Sequence, residues 1–443
     1  MMIQISDHFN FKKLFKFVLP SIFMMVITSI YGVIDGFFVS NFVGKTPFAA
    51  VNLIMPFIMI LGGMGFMIGT GGTALVSRII GENDLEKANR YFTLLILFAV
   101  ILGVILMVVG VLIMRQIACL LGASQEMIEP CVLYGRIVAG FTPFLMLQYI
   151  FQSFLAAAEK PKLGLVVTLI AGCSNAALDA LFIVGFQWGL VGAAVATGIG
   201  QFLGAIIPMV YFASKNKSLL RFTKTKFEIK PIVVACGNGS SELFTNIASS
   251  FVSMLYNFQL MKFYGENGVS AYGVIMYVQL IFLALMIGYT IGSAPIVSYN
   301  FGAQNADELK NIFKKSLSIL AIGGIVLSAL AQVLAIPLAK LFVGYDIELY
   351  QLTVHAFRLF SFAFMFSGVA IYSSGFFTAL NNGLISAILS IMRSLVFQVT
   401  FVFLLPVLFG VNGIWWAMFA TEVGATVVAT IFFITYRKKY NYL

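Results

Sequence analysis

The feature that most limits this chain is a run of roughly 20 apolar residues, long enough to cross a bilayer as a helix, which recurs from one end to the other. A helix closes its own backbone hydrogen bonds, which a hydrocarbon environment requires. Twelve such spans cover about 16–42, 48–76, 91–115, 130–157, 162–186, 189–213, 232–262, 268–297, 315–341, 352–379, 384–408 and 411–436. Several exceed 25 residues, which predicts tilt or ends that project past the hydrocarbon. Soluble domains carry about a quarter charged residues; here 10% are charged and 60% hydrophobic. The chain therefore reads as an all-α polytopic membrane protein.

The basic stretch Phe11-Lys12-Lys13-Leu14-Phe15-Lys16 has the flank of a signal peptide. The apolar run behind it continues to about Phe42, contains Asp35 and has no small-residue cleavage site. It is taken as the first transmembrane helix.

A net charge of +10 raises the question of nucleic acid. Twenty of the 27 Lys and Arg fall on alternate connections, at Lys12, Arg78, Lys160, Lys215 to Lys230, Lys310 and Arg437 with their basic neighbours. That distribution is a topology signal, and it predicts a multi-pass cell membrane protein with both termini cytoplasmic. No nucleic-acid partner is expected. The four cysteines form no CxxC pair and there are two histidines, His8 and His355. Neither a disulfide framework nor a His-based metal centre is indicated, and no cofactor is expected.

Laid on itself, the chain repeats at an offset of 221 to 222. Gly44 falls on Gly265, Gly71 on Gly292, Ser77 on Ser298, Gly81 on Gly302 and Gly192 on Gly413. Six helices per half is an even number, so the halves run the same way through the membrane. The expectation is two six-helix lobes related by a pseudo-two-fold axis along the membrane normal. They span residues 1–213 and 231–443, with a cytoplasmic linker at 214–230.

The halves differ in chemistry. Asp35 falls on Tyr256, Asn175 on Val396 and Asp179 on Thr400, so the acids at these positions belong to the first half alone. Tyr31 and Asp35, and Asn175 and Asp179, are i,i+4 pairs that share a helix face. Asp35 lies nine residues before Gly44, Asp179 nine before Trp188 and Thr197 nine after it. At 1.5 Å per residue each is roughly 13 Å from the outer surface. Two carboxylates in one low-dielectric pocket repel and are poorly solvated, so such a site can hold a proton near neutral pH. With the amide and hydroxyl oxygens of Asn175 and Thr197 it can instead coordinate Na⁺. The plain alternative is a pair of buried acids that only fixes helix packing.

Other candidates carry less. Glu242 is placed near the cytoplasmic end of helix seven, as a second ion ligand or a snorkelling side chain. Arg393 on helix eleven is a partner for Glu422, near mid-depth on helix twelve. Pro20 marks a bend in helix one. The stripe Gly192, Ala196, Gly200 and Gly204 reads as helix packing.

Taken together, the twelve helices, Pro20 and Asp35 on helix one, Asn175-x-x-x-Asp179 on helix five, Thr197 on helix six and the Gly81-Glu82 loop resemble the multidrug and toxic compound extrusion (MATE) family. The resemblance covers essentially the whole chain. It implies a monomeric exporter of small organic, often cationic and lipophilic, compounds in exchange for H⁺ or Na⁺. It also implies a cation site at the residues matching Asp35, Asn175, Asp179 and Thr197, with Tyr31 beside it and helix one bending at Pro20. One branch carries acids on helices seven and ten for Na⁺; helix ten here has none. The rival within the superfamily is a lipid-linked saccharide flippase, which requires cationic groups in its cleft. An intramembrane transferase is disfavoured because every loop is short and no Asp-rich cluster occurs.

Overall fold

A computed structural model describes residues 3–443, and they are nearly all helical. Eight stretches are long and apolar enough to cross a membrane, and two bent helix pairs each complete a further span. Two of the eight are double. Residues Ile229–Gly302 are broken at Gly265, whose φ of 60° is outside the helical region, and Gly383–Tyr440 are broken at Gly410, with φ 66°. Glycine is the residue that takes these values without strain. The result is the twelve spans that the hydropathy predicts.

In chain order they are α1 (Phe11–Val43), α2 (Lys45–Gly81), α3 (Leu85–Leu120) and α4 (Gln125–Gly140 with Thr142–Ala157, bent by 55°). Then come α5 (Pro161–Gly185), α6 (Gly189–Ala213), α7 (229–264) and α8 (266–302). The last four are α9 (Ala306–Val343), α10 (Ile347–Ser361 with Phe364–Ala379, bent by 47°), α11 (383–409) and α12 (Gly413–Tyr440). Five of the twelve spans begin with a first turn that a side chain caps. Asn10, Asp84, Asn305, Asp346 and Asn382 each accept a backbone N–H at a helix start, satisfying donors the helix itself cannot.

The repeat is visible in the backbone as well as the sequence. Asn83 and Gln304, Glu159 and Asn381, Gly44 and Gly265, and Gly189 and Gly410 all have positive φ, and each pair is separated by the same offset of 221 or 222. Equivalent turns join equivalent helices in the two halves. Outward faces such as Ile105, Leu112, Ile322 and Val333 are apolar and 54 to 71% exposed, the pattern of a lipid-facing surface.

Contacts between the halves named here run from mid-depth to the basic face, the side that carries both termini. There α2 lies directly against α7 and α8. Gly71 meets the Ala235 carbonyl, and Gly239 meets the Met67 carbonyl, so neither position has room for a Cβ. Small residues permit this backbone contact, as in other membrane helix pairs. Asn381 Nδ2 donates to the Ala74 carbonyl at 3.2 Å, and the Arg78 guanidinium stacks over Phe301 at 5.4 Å. A residue such as Val at position 239 is expected to hold the basic ends of the lobes apart. Electron-spin distances between labels on the basic ends of α2 and α8 would lengthen in Gly239→Val, and an unchanged distance would refute this close packing.

The chain before α1 also spans the two halves. Ile5 N–H donates to Glu159 Oε1 of the first half at 2.8 Å. Phe9 N–H donates to Glu308 Oε1 at 2.9 Å, and His8 Nδ1 contacts Glu308 Oε2 at 2.6 Å, both in the second half. Asn311 and Lys315 donate to the Phe9 carbonyl. Ile5 and Phe9 are 1% and 0% exposed, so this strap is packed into the core and not draped over it.

Candidate functional site

Three helices bring the first-half residues to one level. The Thr197 hydroxyl on α6 donates to Asp35 Oδ1 on α1 at 3.1 Å. Asp35, Asn175 and Asp179 are 6%, 3% and 0% exposed. Asp179 on α5 is close enough to Asp35 for the two carboxylates to repel. Neither oxygen of Asp179 and neither polar atom of Asn175 has a protein hydrogen-bond partner. Buried polar groups are almost always paired, so an enclosed acid and amide with open valences form a candidate site. The groups present are oxygens, the ligands that hard cations and protons take.

Local packing fixes this geometry. Gly200 of α6 sits against the Asn175 Cβ and the Ala171 carbonyl, and Gly192 against the Phe182 backbone. The small-residue stripe is thus packing, as expected, and it is packing that sets α5 beside α6 at the height of the acids. Tyr31 lies over Gly172 and accepts a hydrogen bond from Gln148 Nε2 at 3.2 Å. It therefore engages α4, one turn below Asp35. Pro20 is fifteen residues before Asp35, roughly 22 Å along the axis, and is not in this pocket. Helix α1 continues as α-helix through Pro20; its winding changes instead at Val39–Val43, a π-helical turn.

That turn is one of three. The others are Ala180–Gly185, which starts directly after Asp179, and Met392–Phe397, which contains Arg393. The second directly follows an ionisable residue and the third carries one, while the first begins four residues after Asp35; such turns are often functional. No residue pattern announces them. Tyr134 on α4 was also outside the sequence reading. It is 1% exposed, with its hydroxyl near Thr197 and both acids. Tyr134 is nine residues past Gln125, the start of α4, a start that the apolar run, which begins near residue 130, does not show.

Comparison with known proteins agrees with this arrangement of two halves. The family model described as MatE matches twice, over residues 20–181 and 243–404, once in each half. The chain belongs to the MatE family. Among curated relatives, the Multidrug export protein MepA of Staphylococcus aureus is 25% identical over 417 residues, covering 93% of this chain and 91% of the relative. The protein of the same name from Staphylococcus saprophyticus is 24% identical over 416 residues, with the same shares. Among solved structures, an outward-facing multidrug resistance MATE family transporter superposes with a TM-score of 0.92 at 19% identity, over 98% of both chains. A Pyrococcus furiosus transporter of the MOP superfamily, whose binding pocket is described as reversed in polarity, gives 0.89 at 20% identity, over 98% of this chain and 96% of that one. The fold is that of MATE transporters, and the chain is a multi-pass membrane transporter.

The second half of this MatE chain has its own ionic group. Arg393 grips Glu422 with both arms, Nε to Oε2 at 3.0 Å and Nη2 to Oε1 at 2.7 Å. Glu422 is fully enclosed, and the Arg393 side chain is 12% exposed. The pairing expected from the sequence is present. Glu242 is where the sequence placed it in helix but not in depth. Gly63, the midpoint of α2, packs against Leu243 and Asn246, so Glu242 sits near mid-membrane and not at the basic end. It lies within the electrostatic reach of Arg393. The misplacement arose because α7 begins at Ile229 and overhangs the apolar run.

Proposed function

We propose that this protein is a secondary active antiporter of the cell membrane that exports small organic compounds, often cationic and lipophilic, in exchange for H⁺ or Na⁺. The single observation that carries the coupling is the enclosed Asp35–Asp179 pair with its unpartnered oxygens and the Thr197 hydroxyl beside it. An ion taken up there relieves the repulsion between the carboxylates. It therefore has a large differential affinity for whichever lobe arrangement encloses the pair, which is what coupling requires. Multidrug export, the activity named for the staphylococcal relatives, is the transport class adopted here. The basic face is assigned to the cytoplasm by the positive-inside distribution, and the working unit is taken as a monomer in the bilayer, without nucleic-acid partners.

The flippase reading needs free cations in the cleft for a pyrophosphate. Arg393, the cation at mid-depth, is already forked onto Glu422, which favours the exporter.

Purified protein in inside-out vesicles, given a fluorescent organic cation, tests the reading. A pH gradient and a Na⁺ gradient are imposed separately. Uptake driven by one of them identifies the coupling ion; no uptake under either, across several chemically distinct cations, would overturn antiport.

A further inference from the structure

The segment that joins the lobes is fixed in place. Residues 214–228 are not helical, yet the first lobe holds them at several points. The N–H groups of Arg221 and Thr223 donate to Asn89 Oδ1 at 2.6 Å and Thr93 Oγ1 at 3.0 Å, both on α3. Leu220 is fully buried. Phe222 stacks on Phe92 of α3, with ring centres 5.3 Å apart and planes 8° from parallel. Glu228, the last residue before α7, accepts from Arg90 Nη2 at 2.7 Å.

This fixed segment and the first turn of α7 carry Lys215, Lys217, Arg221, Lys224, Lys226 and Lys230, all exposed. None of them forms an ion pair among the described residues. The one acid in the stretch, Glu228, is already taken by Arg90. The last three lysines adjoin an apolar strip. Phe227, Ile229 and Val233 are 60 to 70% exposed. At 100° per residue, Ile229 and Val233 fall within about 60° of Phe244, Ile247 and Phe251 on α7, which are exposed as well. One lipid-facing strip thus runs along α7 to its basic end and stops among unpaired cations.

We propose that this corner binds an anionic phospholipid, with its acyl chains along the α7 strip and its headgroup phosphate among Lys224, Lys226 and Lys230. Cations clustered beside a membrane helix attract anionic headgroups, and exposed apolar side chains next to them add burial that a soluble anion cannot use. Lys224 and Lys226 ride on the segment stapled to α3, whereas Lys230 belongs to α7. The headgroup therefore ties the first lobe to the second. This site is separate from the Asp35–Asp179 pocket, and it does not depend on the exporter reading.

The test is thermal unfolding of the purified full-length protein in detergent, with added phosphatidylglycerol, phosphatidylcholine or soluble glycerol 3-phosphate. Phosphatidylglycerol should raise the melting temperature of wild type by about 2 °C or more over phosphatidylcholine. Lys224→Gln, Lys226→Gln and Lys230→Gln together should remove that difference, and replacing the same three by Arg should keep it. Three exposed cations elsewhere on the basic face, changed together as Lys12→Gln, Lys16→Gln and Lys438→Gln, should leave it in place. Equal loss in this second triple would reduce the effect to overall charge and overturn the site, as would a difference that survives in the first. An equal rise with glycerol 3-phosphate would make the occupant a free anion and overturn the lipid assignment. No difference between the two lipids in wild type would overturn both.

Discussion

Asp179→Asn is expected to reduce gradient-driven uptake to the level of protein-free vesicles while leaving the melting temperature unchanged or higher. The two outcomes together are the diagnostic. Asp179 is fully enclosed, repelled by Asp35 and bonded by no protein group. Isolated charge in such a place is destabilising, so its neutral isostere removes a cost and no contact. Residues that hold a fold together do not behave in this way, whereas residues strained for function do. Asp35→Asn should also abolish coupling, but it alters an acceptor of the Thr197 hydroxyl and is the less clean variant. A fall of several degrees for Asp179→Asn, measured by thermal shift with insertion checked by membrane fractionation, would place Asp179 in packing. Full transport by the Asp35→Asn, Asp179→Asn double variant would remove the ion site from this pocket.

Arg393→Gln should have the largest effect on stability. It leaves Glu422 enclosed at 0% exposure without its two charged donors. Breaking a buried pair from one side costs about 3–5 kcal/mol, while replacing both partners by apolar residues of similar size is often neutral. Arg393→Met combined with Glu422→Leu is therefore expected to melt close to wild type, although Arg393→Gln alone melts far below it. Such non-additivity is the signature of direct contact. Arg393→Lys should fall between, because an ammonium cannot reproduce the forked geometry. Additive losses in the double variant would mean that the two residues stabilise the fold independently.

How far the sequence reached depended on what kind of fact was asked of it. Span number, the repeat and the level shared by Asp35, Asp179 and Thr197 follow from counting between turns, and helical rise is nearly constant. The same count set Glu242 nearer the basic end, because hydropathy marks where the apolar stretch starts and not where the helix does. Tyr134 needed a helix start, Gln125, that no apolar run displays. The π turns after Asp35 and Asp179 had no signal in the residues. Their extra residue per turn answers to neighbouring helices, and neighbours are set by the fold as a whole. At Pro20, α1 stays α-helical, and the next residues, Ser21 and Ile22, lie so close to Gly288 of α8 that no Cβ would fit there.

The segment ahead of α1 has a thermodynamic meaning of its own. Because Ile5 is fastened to Glu159 in one lobe and Phe9 to Glu308 and Asn311 in the other, separating the lobes at the basic face must undo one of these attachments. It must also bring Ile5 or Phe9 into water. The strap thus weights the equilibrium toward the arrangement described here, by an amount unrelated to either ligand. The balance between lobe arrangements is thus already tilted by residues 5–9, and a label or fusion placed there would change the resting populations without touching the Asp35–Asp179 pocket.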